Sequence, residues 1–324
     1  MNGTQATPSA TPIIVWCHPR SCSTAFERAF LQRQDTKVWH EPMGDPFYFG
    51  DERACHRYST EKCNAHGHCE STIESVARSL LESALPADGP PFRYVFIKDM
   101  AQYCFPQAAL HELHPTSRVF PAPAEHGAVS QDPLANPTVL PTALLRRFKH
   151  TFLIRTPEKS IPSYWKCVQE KAAGFDFFDA AESGYVELQR LYEWIANPAS
   201  AFHTDDTDDP AYARWPVQSQ PMPPPLVDAS CLLKDPSHVV EQYCKAVGVP
   251  FDPSMLSWKP GSVDIWEKWG SYHAAAQNST GFRQDNNAAK EKRIDAPRPA
   301  EVQAAIAASL PAYESLKKQC TIHA

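Results

Sequence analysis

Ile13-Ile14-Val15-Trp16, followed by His18-Pro19-Arg20-Ser21-Cys22-Ser23-Thr24, is the stretch on which the fold turns. Four consecutive large apolar residues, three of them β-branched, read as a strand covered on both faces. Directly after the heptapeptide, Thr24 to Gln34 sets Ala25, Phe26, Ala29 and Phe30 on one stripe, which predicts a helix. A strand, a tight turn and a helix N-terminus in succession aim backbone N–H groups and the positive end of the helix dipole at whatever occupies the turn. Ser23 and Thr24 add hydroxyl donors, and Arg20 adds a fork suited to phosphate or sulfate oxygens. The alternative is a plain N-cap at Ser23 or Thr24 with an unrelated arginine beside it. Both glycines and the lysine of the Gly-x-x-x-x-Gly-Lys-Ser/Thr loop are missing, which disfavours a kinase or NTPase.

Working outward, similar apolar runs recur at Lys37-Val38-Trp39, Tyr94-Val95-Phe96-Ile97, Thr151-Phe152-Leu153-Ile154 and Leu226-Val227. Between them lie further helical patterns at Thr72 to Leu85, Tyr185 to Ile195 and Val239 to Val247. Strands alternating with helices predict a three-layer α/β/α fold around a central parallel sheet. Residues 1–11 are expected to be a disordered tail. Residues 12–324 are expected to form a single domain with long loops near 50–70, 120–141 and 197–225, the latter two rich in proline.

With 31 Lys+Arg against 37 Asp+Glu, the net charge of −6 gives no basic face for nucleic acid or an anionic membrane. Any bound anion must be gripped locally. No apolar run is long enough to span a bilayer, and Met1 to Pro12 lacks the pattern of a signal peptide, so the expectation is a soluble, cytoplasmic protein. Ten scattered cysteines in a chain of 324 residues fit reduced thiols better than a disulfide framework. Cys55, His56, Cys63, His66, His68 and Cys69 are dense in ligand-type side chains, but their spacing matches no familiar zinc knuckle. A polar loop with incidental thiols is the preferred reading, and no metal is expected.

Pro19-Arg20-Ser21-Cys22-Ser23-Thr24 resembles the 5′-phosphosulfate loop of the sulfotransferase family, Pro-Lys/Arg-Ser-Gly-Ser/Thr-Thr, with Cys22 where that family usually has glycine. A second segment resembles it too: the strand ending at Ile154 leads into Arg155, and Ser163 follows eight residues later, the spacing by which that family holds a 3′-phosphate. An arginine leaving a strand and a serine in the next element can meet around one phosphate, with charge-assisted bonds of about 1.5–3 kcal/mol each. Pro225 to Asp252 is similar to the late strand, turn and helix of bacterial and fungal members, and Arg283 is a further candidate for the nucleotide.

The resemblance implies a P-loop-like sulfotransferase fold. It implies 3′-phosphoadenosine 5′-phosphosulfate as co-substrate and a hydroxyl or amine of a small-molecule acceptor. The nucleotide contacts it implies are Arg20, Ser21, Cys22, Ser23, Thr24, Arg155, Ser163 and Arg283. Many members carry a base histidine in a Lys-Thr-His triplet after the third strand; this chain has Lys98-Asp99-Met100, and a thioether accepts no proton. Other members use a glutamate after the second strand, so Glu41 is the first candidate base, with His40 and Asp99 as rivals and Lys98 a bridge to the donor oxygens. The Met100 and Cys22 departures keep two alternatives open. One is a tailoring isomerase or lyase that has lost the donor; the other is a non-catalytic nucleotide-binding protein.

Overall fold

In the computed structural model, which describes residues 10–84, 92–123, 130–205, 209–282 and 298–324, five strands form one sheet. They are β1 (Thr11–Cys17), β2 (Thr36–His40), β3 (Tyr94–Met100), β4 (Lys149–Ile154) and β5 (Leu226–Asp228). Every pairing is parallel, and the order is β2-β3-β1-β4-β5. The expected architecture is therefore present. β1, β3 and β4 are buried almost throughout, as their unbroken apolar runs require.

The register shows how both faces are covered. Ile13 pairs with Phe96 and Trp16 with Phe152, and since side chains alternate along a strand, Phe96 and Phe152 lie on opposite faces. On the first face Phe30 of the helix Ser23–Phe30 stacks on Phe96 at 3.7 Å, and Phe26 meets Tyr243 of the helix Pro236–Val247 edge-on at 4.8 Å. On the second, Phe152 meets Tyr192 of the helix Tyr185–Ala196 at 5.0 Å, and the helices Pro157–Gln169 and Ala300–Lys318 complete that layer. The loop leaving β1 thus turns to one face and the loop leaving β4 to the other, which opens a crevice at the carboxyl ends of the strands.

Several helical bounds differ from the periodicity. The first helix stops at Phe30 rather than Gln34, and the second pattern forms only Ile73–Glu82, fixed by a reciprocal Thr72–Ser75 capping box. Helices at Gly44–Phe49, Thr60–His66 and Gln107–Leu113 are additional, the second of them inside the stretch near 50–70. Most of the 1–11 tail lies outside the described residues. Among the described residues no helix is long and apolar enough to cross a membrane.

Candidate active site

The turn after β1 takes its shape from the backbone. Arg20 and Cys22 both have positive φ, 63° and 68°, and Cys22 sits in the left-handed region as the N-cap of the first helix. Glycine adopts that conformation freely; cysteine does so at a cost of about 1–2 kcal/mol. Next to it, the buried His18 ties two strand ends together. Its Nε2 accepts the Arg155 N–H at 3.0 Å, so Nδ1 carries the proton and donates to the Pro19 carbonyl at 3.0 Å. Both bonds need the neutral ring, and burial pushes His18 down to about 3. Tyr185 stacks on it at 4.1 Å and donates to the Arg155 carbonyl at 2.7 Å.

This clamp brings three sequence candidates to one end of a cavity of about 530 Å³. Arg20 Nε donates to Ser163 Oγ at 3.0 Å, and Arg155 donates to the Arg20 carbonyl at 3.2 Å. Cys22, Ser23 and Thr24 line the same wall. Ser21 does not line it; its buried Oγ has no hydrogen-bond partner among the described residues. Arg283 lies outside the described residues.

The cavity floor is the paired ends of β2 and β3. Glu41 has φ 45°, and its N–H donates to the Lys98 carbonyl at 2.7 Å, continuing the ladder by one residue. Its carboxylate and the Lys98 ammonium form a buried ion pair. Burial alone would push the Glu41 carboxyl up; the Lys98 charge, with His40 and His273, overrides this and holds it at about 2. Lys98 therefore pairs with Glu41 and not with Asp99. Asp99 is off the cavity wall, accepting the N–H groups of Met43 and Met100 at 2.9 Å each, and burial pushes it up to about 8. His40 packs behind the wall as well.

Of the residues that build the far end, the sequence offers only Tyr48, one of the aromatics beside the Cys/His stretch that could form an acceptor wall. Glu182 accepts both arms of the Arg57 fork, through Nε at 3.0 Å and through a second nitrogen, plus the Tyr164 hydroxyl at 2.6 Å. Arg57 lies over the rings of Phe175 and Phe177 at 4.3 and 4.2 Å. Tyr48, Tyr103 and Phe175 make this end aromatic, and Tyr272, whose ring meets Phe175 and whose carbonyl accepts from Arg20, joins it to the loop after β1.

The roof comes from residues 264–282, strapped to the first helix by Arg28, which donates to the carbonyls of Lys259 at 2.6 Å and Gln277 at 3.1 Å. It delivers His273 to the cavity, with Nδ1 3.1 Å from Thr24 Oγ1 and Nε2 3.0 Å from His40 Nε2. His273 was invisible in the sequence, being distant from every motif and lacking a partner at a recognisable spacing.

Among the described residues, two groups of side chains each hold donor atoms within 4.8 Å of one another. They are His40, Glu41 and His273, and Asp45, His66 and His68. In the first, the Lys98 ammonium sits on Glu41 Oε1 and His273 Nε2 lies 3.0 Å from His40 Nε2, so its donor atoms already belong to a hydrogen-bonded network. The second contains no cysteine, and His66 is stacked on Phe49 at 3.7 Å. Cys63 and Cys69 point instead at the carbonyls of Tyr48 and Cys63, at 3.5 and 3.6 Å.

With loop, crevice and roof described, the relationship to known proteins can be placed on them. Residues 201–320 match the family described as a sulfotransferase domain. The resemblance carried by the two phosphate motifs at the front of the chain thus has its counterpart at the back, in the segment that includes β5 and the roof. Among curated proteins, branched-chain-amino-acid aminotransferase-like proteins 1 and 2 of Arabidopsis thaliana are 25% and 24% identical over 272 and 273 residues, or 82% and 83% of this chain. The chain spans only 36% of the length of each, so their names describe much larger proteins. Among solved structures, a sulfotransferase domain from the curacin biosynthetic pathway aligns at 16% identity over 94% of this chain and 99% of that one, with a TM-score of 0.39. A second, from the Synechococcus PCC 7002 olefin synthase, aligns at 16% over 93% and 95%, also with a TM-score of 0.39. At those scores neither structure transfers a residue role to this chain.

Proposed function

We propose that the protein moves a sulfuryl group from 3′-phosphoadenosine 5′-phosphosulfate to a hydroxyl or amine of a small-molecule acceptor. The observation that carries this reading is the convergence of three cation or hydroxyl donors, Arg20, Arg155 and Ser163, with a helix N-terminus at one end of a cavity whose other end is aromatic. The turn from Arg20 to Thr24 supports the 5′-phosphosulfate with N–H groups, hydroxyls and the Arg20 fork. Arg155 and Ser163 take the 3′-phosphate. Lys98, on the floor between the ends, neutralises charge on the transferring oxygens, and Glu41 holds it there. The acceptor stacks on Tyr48, Tyr103, Phe175 and Tyr272 and presents its nucleophilic atom toward the loop. Domain extent follows the same reading, with residues 12–324 acting as one sulfotransferase unit.

Calorimetric titration with adenosine 3′,5′-bisphosphate beside ATP tests it. The bisphosphate is expected to bind at least tenfold more tightly; equal affinities would remove the basis for a phosphosulfate donor. The lost-donor alternative, favoured by Met100 at the usual base position, expects neither nucleotide to bind.

A further inference from the structure

We propose that His273 accepts the acceptor's proton and relays its charge inward through His40 to Glu27. This rests on the sulfuryl-transfer reading and supplies the base that the end of β3 lacks. On the cavity wall the other acidic groups are committed: Glu41 to Lys98, and Glu182 to Arg57. Asp99 is off the wall with its oxygens on two backbone N–H groups.

With His40 neutral, the hydrogen bonds run in one direction. Trp266 Nε1 can only donate, and it does so to Glu27 Oε1 at 2.6 Å. The other oxygen, Oε2, lies 2.7 Å from His40 Nδ1, so that nitrogen carries a proton. A neutral His40 then has its lone pair on Nε2, where it accepts from His273 Nε2–H at 3.0 Å, the rings being perpendicular at 87°. That leaves the His273 lone pair on Nδ1, at the cavity, where Thr24 Oγ1–H donates at 3.1 Å. Three elements meet in this chain: the first helix, which carries both Thr24 and Glu27, the end of β2 and the roof.

The surrounding charges suit a relay better than a lone histidine. Burial, the His40 ring and the nearby Lys98 and Arg20 disfavour charge on His273 and push it down to about 2. A base that had to keep the proton's charge there would be weak. His40 sits between two carboxylates, with Glu27 at 2.7 Å and Glu41 Oε1 at 3.7 Å, so the charge is better held one ring further in. In the step, the acceptor O–H proton goes to His273 Nδ1 while Thr24 turns its hydroxyl to a phosphate oxygen. The His273 Nε2 proton passes to His40 Nε2. The acceptor oxygen's electron pair forms the new O–S bond, and the S–O bond to the 5′-phosphate breaks with its pair leaving on the phosphate. No oxidant or further reactant is needed.

The test begins with the wild-type protein, whose histidine tautomers are read by 15N NMR and assigned by loss of signals in H273Q and H40Q. The expected result is a proton on Nδ1 of His40 and on Nε2 of His273; a proton on Nδ1 of His273 overturns the proposal. Turnover is followed as conversion of the phosphosulfate donor to the bisphosphate with water as acceptor. H273Q is expected to lower it at least 100-fold, with bisphosphate Kd within about threefold of wild type. E27Q is expected to lower it less and to shift the acidic limb of the pH profile, which mere packing would not do. Unchanged turnover and pH profile in H273Q overturn the relay, as does a stoichiometric metal whose removal by chelator abolishes turnover. Failure of the wild type to bind the bisphosphate would instead sink the sulfuryl-transfer reading, while the tautomers still judge the relay.

Discussion

The cavity has a buried ion pair at its centre and another at its far end, built in opposite ways. Glu41 and Lys98 are one step past, and inside, paired parallel strands, and the ladder bond between their backbones sets them side by side. Glu182 and Arg57 come from loops 125 residues apart, held by aromatic packing and by tyrosine hydroxyls. Local register makes the first pair; only the finished tertiary structure makes the second. The first also has His40 Nε2 at 3.7 Å from Glu41 Oε1. The second depends on one guanidinium, which Glu182 keeps charged against the cost of its burial.

That difference sets the largest expected effect. Arg57→Met leaves Glu182 buried with hydroxyl donors but no cation, a change that typically costs about 3–5 kcal/mol. Lys98→Met is expected to cost less, because the Glu41 carboxylate is more open to the cavity than that of Glu182, 6% exposed against 1%. Urea unfolding of both variants at pH 7 checks this, and a greater loss in Lys98→Met would reverse the comparison.

The donor end is expected to respond in affinity rather than stability. Arg155→Ala removes a charge-assisted contact to the bound bisphosphate, weakening binding by about 1.5–3 kcal/mol, and Ser163→Ala weakens it by less. Calorimetry that showed the serine to matter more would place the 3′-phosphate elsewhere. Arg57→Met, at the opposite end, is expected to leave the bisphosphate affinity of the folded protein within a few-fold of wild type.

The whole chain should show an optimum of stability near pH 6.5–7. Burial holds His18, His150 and His273 neutral, at about 3, 4 and 2, whereas in the unfolded chain they gain protons below about 6.5. Below that pH the unfolded state binds more protons, so stability falls with acid. Asp99 at about 8, and Glu182 also pushed up by burial, act the other way, since the folded state holds protons there that the unfolded state releases. Between pH 5 and 6 the net difference is one to two protons, or about 1.4–2.7 kcal/mol per pH unit. Above 6.5 the carboxyl effect remains, joined by His114, which Glu187 holds above its ordinary value against burial, and stability declines as pH rises toward 8. Urea midpoints at pH 5, 6.5 and 8 check the dome; a monotonic rise to pH 8 would show Asp99 ionised in the fold.

What was legible in the sequence follows the same division. β1, β3 and β4 announced themselves because strands buried on both faces are apolar along most of their length, whereas the half-buried β2 showed only Val38 and Trp39; Arg155 and Ser163, at one strand end and in the next helix, line the same cavity. His273, Glu27, Arg57 and Glu182 gave no signal, since their partners lie from 13 to 249 residues away and no local period links them. The helix Ala300–Lys318 escaped for another reason: its many alanines blur the apolar stripe, and Pro311 lies inside it. Glu41 and Lys98 were each legible at a strand end, but that they pair with each other comes from the β2–β3 register, which sets His40 opposite Lys98.

The smallest effect tests the backbone of the donor end. Cys22→Gly puts at φ 68° the residue that adopts it without strain, recovering about 1–2 kcal/mol. Against that, glycine adds freedom to the unfolded chain, worth about 0.4–1 kcal/mol. The expected net is a gain between about 0 and about 1.6 kcal/mol in unfolding free energy, with bisphosphate affinity changed less than threefold. Cys22→Ala keeps the strain and removes only the thiol, so it separates backbone from side chain. A loss of affinity in Cys22→Ala that Cys22→Gly shares would give the thiol a contact of its own with the anion. Loss in Cys22→Gly alone would mean that the cysteine's rigidity, and not its shape, keeps the turn open; the donor end would then rest on a side chain just as the far end does.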